Sequence, residues 1–221
     1  MNNEKIISIS KEELTTLPMA EYEGGIILVD TPESAQKAVE KLSAEPIIGF
    51  DTETKPSFKK GQSNHVSLLQ LSSHKECYLF RLNHIGVTEP VKALLENENI
   101  TKVGLSIHDD FHNLNKICDL DPKGFIDLQQ FVKDYMIMDN SLARIYAILF
   151  GLRISKGQRL TNWEAEELTS HQQAYASLDA LACIRIYDYL VSGKFNPETS
   201  PYLKDAQNPD DVHPHSQTEG Q

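Results

Sequence analysis

An unbroken apolar run, Ile47-Ile48-Gly49-Phe50, follows Pro46 and stops at two acidic residues spaced by one, Asp51 and Glu53. Such a run predicts a strand buried on both faces, the usual condition at the centre of an α/β sheet covered by helices on each side. The flanking sequence supplies those helices. Thr31-Pro32 is an N-cap and first-turn pair that opens a helical pattern reaching Leu42, behind a short β-rich run from Ile26 to Val29. Val66 to Leu71 and Cys77 to Leu82 have strand character and are separated by the turn-prone Ser72-Ser73-His74, which predicts an antiparallel meander with the Ile47 strand. Helix and strand then alternate, with helix over Pro90 to Leu95, strand over Thr101 to Leu105 and helix over Asp109 to Ile117. Beyond Phe125 the pattern is mainly helical: Leu128 to Tyr135, Ser141 to Phe150, and a long final helix from Ser170 to Val191. The fold class is α/β, a mixed sheet with an antiparallel meander flanked by helices.

A length of 221 residues suits one domain with loose ends. Residues 1–24 are expected to be an N-terminal extension, 25–191 the domain, and 192–221, rich in Pro, Asn, Asp, Ser and Gln, a disordered tail. No apolar stretch approaches the roughly 18 residues that span a bilayer, and Met1 to Ser10 lacks the basic-then-apolar pattern of a secretory signal. A cytoplasmic protein without membrane contact is the expectation. Cys77, Cys118 and Cys183 form no CxxC pair and are expected to be small buried hydrophobes.

The acid pair gains meaning from its position. Residues two apart on a regular strand project from one face, and ligands in α/β sheets gather at the carboxyl ends of strands. A lone D-x-E is more often a solvated loop, so its partners decide. In the last helix Tyr175, Leu178, Asp179, Ala182, Ile186, Tyr189 and Leu190 recur at helical spacing, which places Asp179 inside an apolar stripe with Tyr175 one turn earlier. A carboxylate there has to be paired, coordinated or protonated. Asp109 and Asp110 are adjacent, and helix phase separates them. Asp110 shares a face with Leu114 and Ile117 and points inward, whereas Asp109 is placed to cap the helix N-terminus. Four inward carboxylates repel one another unless cations neutralise them, and all-oxygen ligation favours two Mg²⁺ or Mn²⁺ ions, the arrangement used in phosphodiester hydrolysis. Tyr175, a weak base at neutral pH, is suited to orienting a water.

FDTET (Phe50 to Thr54), VGLSIHDDFHNL (Val103 to Leu114) and YASLD (Tyr175 to Asp179) resemble the three exonuclease motifs of the DEDD superfamily. The Y-x-x-x-D form of the third is similar to the tyrosine subclass, which includes ribonuclease D, polymerase proofreading domains and the Werner syndrome exonuclease domain. In the histidine subclass a His stands five residues before the last Asp. Here that position is Ala174, and His171 is eight before it. The resemblance covers roughly Pro46 to Val191. It implies a ribonuclease H-like fold, two divalent ions held by Asp51, Glu53, Asp110 and Asp179, a water positioned by Tyr175, and 3′-to-5′ attack on a single-stranded end of DNA or RNA.

A net charge of −11 is unusual for a nucleic-acid binder. Its distribution weakens the objection: residues 1–45 and 192–221 together carry −8, and two divalent ions would bring the −3 of the middle to about neutral or slightly positive. Candidate substrate contacts are Thr52, inside the first motif, and Lys156 and Arg159, in the loop leading to the last helix. Lys55, Lys59, Lys60 and His65 follow the first motif on a second basic loop, where solvation is an equal reading. Trp163 is expected to anchor the core rather than stack on a base. Asp119-x-Asp121-x-x-Gly124 fails as an EF-hand because Gln130 replaces the closing glutamate, and no P-loop or G-x-G-x-x-G occurs. A catalytically silent binding module on the same fold is the competing reading.

Overall fold

The computed structural model describes residues 4–59 and 64–206. In chain order the elements are β1 (Lys5–Ile7), α1 (Lys11–Thr16), β2 (Gly25–Val29), α2 (Pro32–Leu42), β3 (Ile47–Thr54), β4 (Val66–Ser72), β5 (Glu76–Phe80), α3 (Leu82–Ile85), α4 (Glu89–Leu95), β6 (Thr101–Gly104), α5 (Ile107–Leu114), β7 (Phe125–Asp127), α6 (Leu128–Phe131), α7 (Leu142–Phe150), α8 (Ser170–Val191) and β8 (Leu203–Asp205). Six strands form one mixed sheet in the order β2-β5-β4-β3-β6-β7. The expected meander is there: β4 is antiparallel to both β3 and β5, while β6 runs parallel to β3. No helix among the described residues is long and apolar enough to cross a membrane.

Strand alternation divides the core into two faces. Ile48 and Phe50 of β3, Leu69 and Leu71 of β4, and Tyr78 and Phe80 of β5 pack against the apolar sides of α2 and α4. On the other face, Leu68, Cys77 and Leu79 meet Ala176 and Ala180 of α8. Gly49 belongs to this second face and sets how closely α8 approaches. A Cβ at Gly49 would stand 1.9 Å from the Ala180 carbonyl oxygen, so any side chain there would push the helix off the sheet.

Helix α8 has the predicted bounds. Thr169 caps it, with Gln172 returning the bond in a capping box. Its middle differs from an amphipathic stripe: every residue from Ala176 to Ile184 is buried. The sheet covers one side and the α7 core, with Ile7 and Ile9 of the N-terminal segment, covers another. A helix enclosed in this way needs no polar face.

Several boundaries shift. β5 stops at Phe80 and Leu82 opens α3, while the helix expected over Leu128 to Tyr135 is α6 followed by a 3₁₀ turn, Val132–Tyr135, with β7 immediately before it. Cys118 is half-buried, so the buried-hydrophobe reading holds for Cys77 and Cys183 alone. The ends depart most. β1 and β8 pair antiparallel, Lys5 opposite Asp205 and Ile7 opposite Leu203, so disorder does not begin at Ser192; residues 207–221 lie outside the described residues. Buried Asp139 accepts the Ile9 N–H, and Arg144 donates both to Asp139 and to the Ile9 carbonyl, fixing the N-terminal segment to the start of α7.

Candidate metal centre

The second face of β3 carries Asp51 and Glu53 side by side, and the close seat of Ala180 over Gly49 lowers the neighbouring Asp179 onto them. Asp51, Glu53 and Asp179 each offer a carboxylate oxygen, all within 4.8 Å of one another. Asp110 arrives from α5 and is tethered to β3 by the Thr52 hydroxyl, which donates to its Oδ1. The helix phase expected for the acidic neighbours holds, since the Asp109 side chain is 85% exposed while Asp110 faces the charge of Asp51.

The capping role expected of Asp109 does not hold. α5 starts earlier, from Ser106 in the left-handed conformation (φ 59°), and Asp109 is its third residue. The Ser106 N–H donates to Asp127 at the end of β7, which also accepts the Gln129 N–H. One aspartate therefore holds the turn that launches α5 and caps α6. Asp109 retains only a favourable place in the first turn of the helix dipole.

Burial and mutual repulsion push the acids in one direction. Burial, then the charge of Asp179, holds Asp51 well above the usual carboxylate range. Glu53 rises to about 10 through burial and then Asp51, Asp179 and Asp110, with Arg159 opposing. Asp110 is likewise raised, first by burial and then by Asp51. Asp179 rises to about 7 through burial, opposed by a hydrogen bond from Tyr175. Burial and mutual repulsion thus disfavour the charged form of all four carboxylates. A divalent cation fits this donor set: the ligands are all oxygen, and Asp179 Oδ1 is buried with no hydrogen-bond partner among the described residues.

A family model described as 3′-5′ exonuclease matches residues 26–193. The chain belongs to the 3′–5′ exonuclease family. It is 30% identical over 184 residues to the bifunctional 3′-5′ exonuclease/ATP-dependent helicase WRN of Mus musculus, a match covering 79% of this chain and 13% of that protein. Among solved structures, the Aedes aegypti Nibbler EXO domain superposes with a TM-score of 0.69 at 21% identity, covering 82% of this chain and 95% of that one. Trypanosoma brucei RNase D in complex with RNA U12 gives 0.67 at 22% identity, covering 76% and 63%. The fold is thus the ribonuclease H-like one of these exonuclease domains, a family that works with divalent metals.

Around the acidic cluster the structure sorts the remaining candidates. Tyr175 stands one turn before Asp179 on α8, and its ring lies 6.1 Å from that of Trp163. Trp163 is fully buried, as a core anchor should be. Arg81, itself buried, donates to the carbonyls of Ala165 and Glu166 and so clamps the segment carrying Trp163. Arg159 is exposed with its charge acting on Glu53, whereas Lys156 lines a groove with Leu14, Thr15 and Met19. Lys55 is committed to Glu164 at 2.9 Å, Lys59 and His65 are exposed, and Lys60 lies outside the described residues.

Two residues escaped the sequence reading. Gln70 sits opposite Asp51 in the β3–β4 register and is fully buried, with neither its amide oxygen nor its nitrogen bonded among the described residues. In sequence it looks like a solvent-facing position of an alternating strand. Phe58, 86% exposed between Lys55 and Lys59, was visible as an aromatic in a basic loop.

Proposed function

We propose that this domain is a metal-dependent exonuclease that hydrolyses phosphodiester bonds from the 3′ end of a single DNA or RNA strand and releases nucleoside monophosphates. The observation that carries this reading is the convergence of three carboxylates from β3 and α8 within 4.8 Å, held together against their own repulsion. Asp51, Glu53, Asp110 and Asp179 would hold two Mg²⁺ or Mn²⁺ ions. When bound, such ions supply Lewis acidity for a nucleophilic water and charge neutralisation at the leaving oxygen.

The chain's own groups do the rest. Burial and the neighbouring carboxylates move the Tyr175 phenol upward, so it stays protonated at neutral pH. One turn before Asp179, its hydroxyl is placed to bond the attacking water and set the direction of approach. Thr52 fixes the rotamer of Asp110 by donating to one of its oxygens. Arg159 offers a cation beside Glu53 to the incoming phosphate. The RNA bound by the Trypanosoma brucei RNase D supports a nucleic-acid strand as ligand.

End-labelled single-stranded DNA, duplex DNA and RNA of graded lengths, incubated with Mg²⁺ or Mn²⁺, test the reading. Stepwise release of mononucleotides is expected, abolished by excess EDTA and by a blocked 3′ end. Full activity in EDTA would sink the mechanism, and binding without turnover under every metal would favour the silent-module reading.

A further inference from the structure

Gln70 carries a carboxamide into a part of the sheet where an apolar side chain would serve the fold better. Register fixes its neighbours on the α8 face: Asp51 of β3 lies directly opposite on one side and Leu79 of β5 on the other. Along its own strand Leu68 and Ser72 share that face. Leu68 and Leu79 are fully buried and apolar, and the Ser72 hydroxyl donates to the Ser73 carbonyl at 2.8 Å. Overhead, α8 seals the face: Ala180 sits over Gly49 too closely to admit a Cβ, and Gln70 has no exposed surface. Neither its Oε1 nor its Nε2 has a hydrogen-bond partner among the described residues.

An amide buried in this way costs the fold, so its presence calls for a use outside packing. The acid opposite supplies one. Cross-strand partners stand about 4.5–5.5 Å apart at Cβ, within reach of a glutamine side chain. A carboxylate that ligates an ion through one oxygen needs a donor on the other to fix its orientation. Asp110 has such a donor in the Thr52 hydroxyl, which reaches it from β3. Gln70 stands where a donor to Asp51 would stand, one strand over and directly opposite.

We propose that Gln70 is a positioning residue of the metal centre: its Nε2 donates to the Asp51 carboxylate and holds it in the orientation that ligates a divalent cation. The inference rests on the proposed reading of Asp51 as a metal ligand. Gln70 acts through Asp51 and touches neither the cation nor the strand, so its loss weakens metal binding and leaves strand binding alone.

Calorimetric titration of Mn²⁺ into the metal-free full chain is the test. Gln70→Met and Gln70→Leu, which keep the bulk and remove the donor, should each weaken Mn²⁺ binding about tenfold or more. Ser177→Ala, which removes another buried and unbonded hydroxyl from the same side of the sheet, should leave it unchanged. At limiting Mn²⁺, release of mononucleotides should fall in step with metal occupancy, while KM for the strand stays within about a factor of two. Urea unfolding of the metal-free variants separates this role from a structural one, because loss of an unbonded buried amide should leave them at least as stable as wild type. Unchanged Mn²⁺ affinity in either folded Gln70 variant overturns the inference, as does an equal weakening in Ser177→Ala. A wild type that binds Mn²⁺ but cuts no strand fails the exonuclease reading, and the affinities still decide the role of Gln70. A wild type that binds no Mn²⁺ overturns both.

Discussion

On one face of β3, Ile48 and Phe50 are buried among the side chains of α2 and α4; the buried Lys102 there donates to the Asn97 carbonyl with its ammonium over the Phe125 ring, and Thr88 Oγ1 at the start of α4 has no partner among the described residues. On the other face, a residue away in each direction, Gly49, Asp51 and Glu53 meet α8. There Gln70, Ser177 and Asp179 all have buried polar atoms with no hydrogen-bond partner among the described residues. Both faces share the same backbone hydrogen bonds. They differ in what burial has been used for, since apolar side chains on the first face gain by leaving water and the carboxylates on the second are held where they lose by it. Stability and activity should therefore separate by strand parity, and substitutions along β3 and its neighbours can break or confirm that separation.

The largest effect is expected at the carboxylates. Asp51→Asn, Asp179→Asn and Asp110→Asn should each lower single-turnover release of mononucleotides by orders of magnitude. Each also removes an acid whose ionisation burial and its neighbours oppose in the folded state, so the metal-free variants should melt at or above the wild-type temperature. A variant that loses activity and melts well below wild type would mean that the cluster contributes to the fold itself.

Ile48→Ala, one residue before Gly49, tests the opposite parity. Truncating a fully buried Ile leaves a cavity under α2, at a cost of about 2–5 kcal/mol in urea unfolding. The folded fraction should turn over at the wild-type rate, because no atom of Ile48 belongs to the metal face. Loss of kcat in molecules shown to be folded would join the two faces into one mechanical unit.

Gln70→Leu is a smaller change on the metal face. A buried amide without partners carries a desolvation penalty of about 1–3 kcal/mol, and an apolar side chain of similar size removes it. Thermal or urea unfolding should show a gain in stability. A loss would show that ordered water satisfies the amide in solution, and the contrast between the faces would then be one of wetting instead of strain.

Lys102 supplies a pH test on the packed face. Burial lowers its amine to about 8, against roughly 10.4 in an unfolded chain. Below the folded value both states carry the charge, and the folded one bears the cost of burying it. Between the two values the unfolded chain binds more protons, so this residue's contribution to stability rises with pH. The stability of the wild type relative to Lys102→Met, measured from about pH 7 to about pH 10, should therefore increase. A flat or falling difference would mean that the amine is not desolvated.

This contrast between faces also explains what was legible in the sequence. β3 and its acid pair were visible because an apolar run that stops at D-x-E is a local pattern, and α8 because Tyr175, Leu178, Ala182, Ile186 and Leu190 recur at helical spacing. Asp179 was visible as a charge inside a stripe. Gln70 was not: in an alternating strand a polar residue looks solvent-facing until α8 is known to cover that side. The pairing of β1 with β8 joins three-residue strands almost two hundred positions apart, with no periodicity in either to announce it. The early start of α5 was hidden because Ser106 adopts a left-handed turn whose partner, Asp127, is remote in sequence.

The smallest effect should come from Asp109→Asn, and its smallness is informative. Asp109 and Asp110 are consecutive residues of the same short helix, yet only Asp110 faces Asp51 and receives the Thr52 hydroxyl. Asp109 is 85% exposed in the first turn, where its charge interacts with the helix dipole and, at 3.9 Å, with His108. Replacing it with asparagine removes a dipole interaction worth about 0.3–1 kcal/mol, screened further by salt. Turnover should stay within about a factor of two of wild type, and Tm should fall by a few degrees at most. Placed beside Asp110→Asn, this variant asks whether one step along a helix separates solvent from the reaction centre as one step along β3 does. If Asp109→Asn proves to be the inactive enzyme, α5 enters the site one residue out of the phase described, and Thr52 is tethering the wrong aspartate.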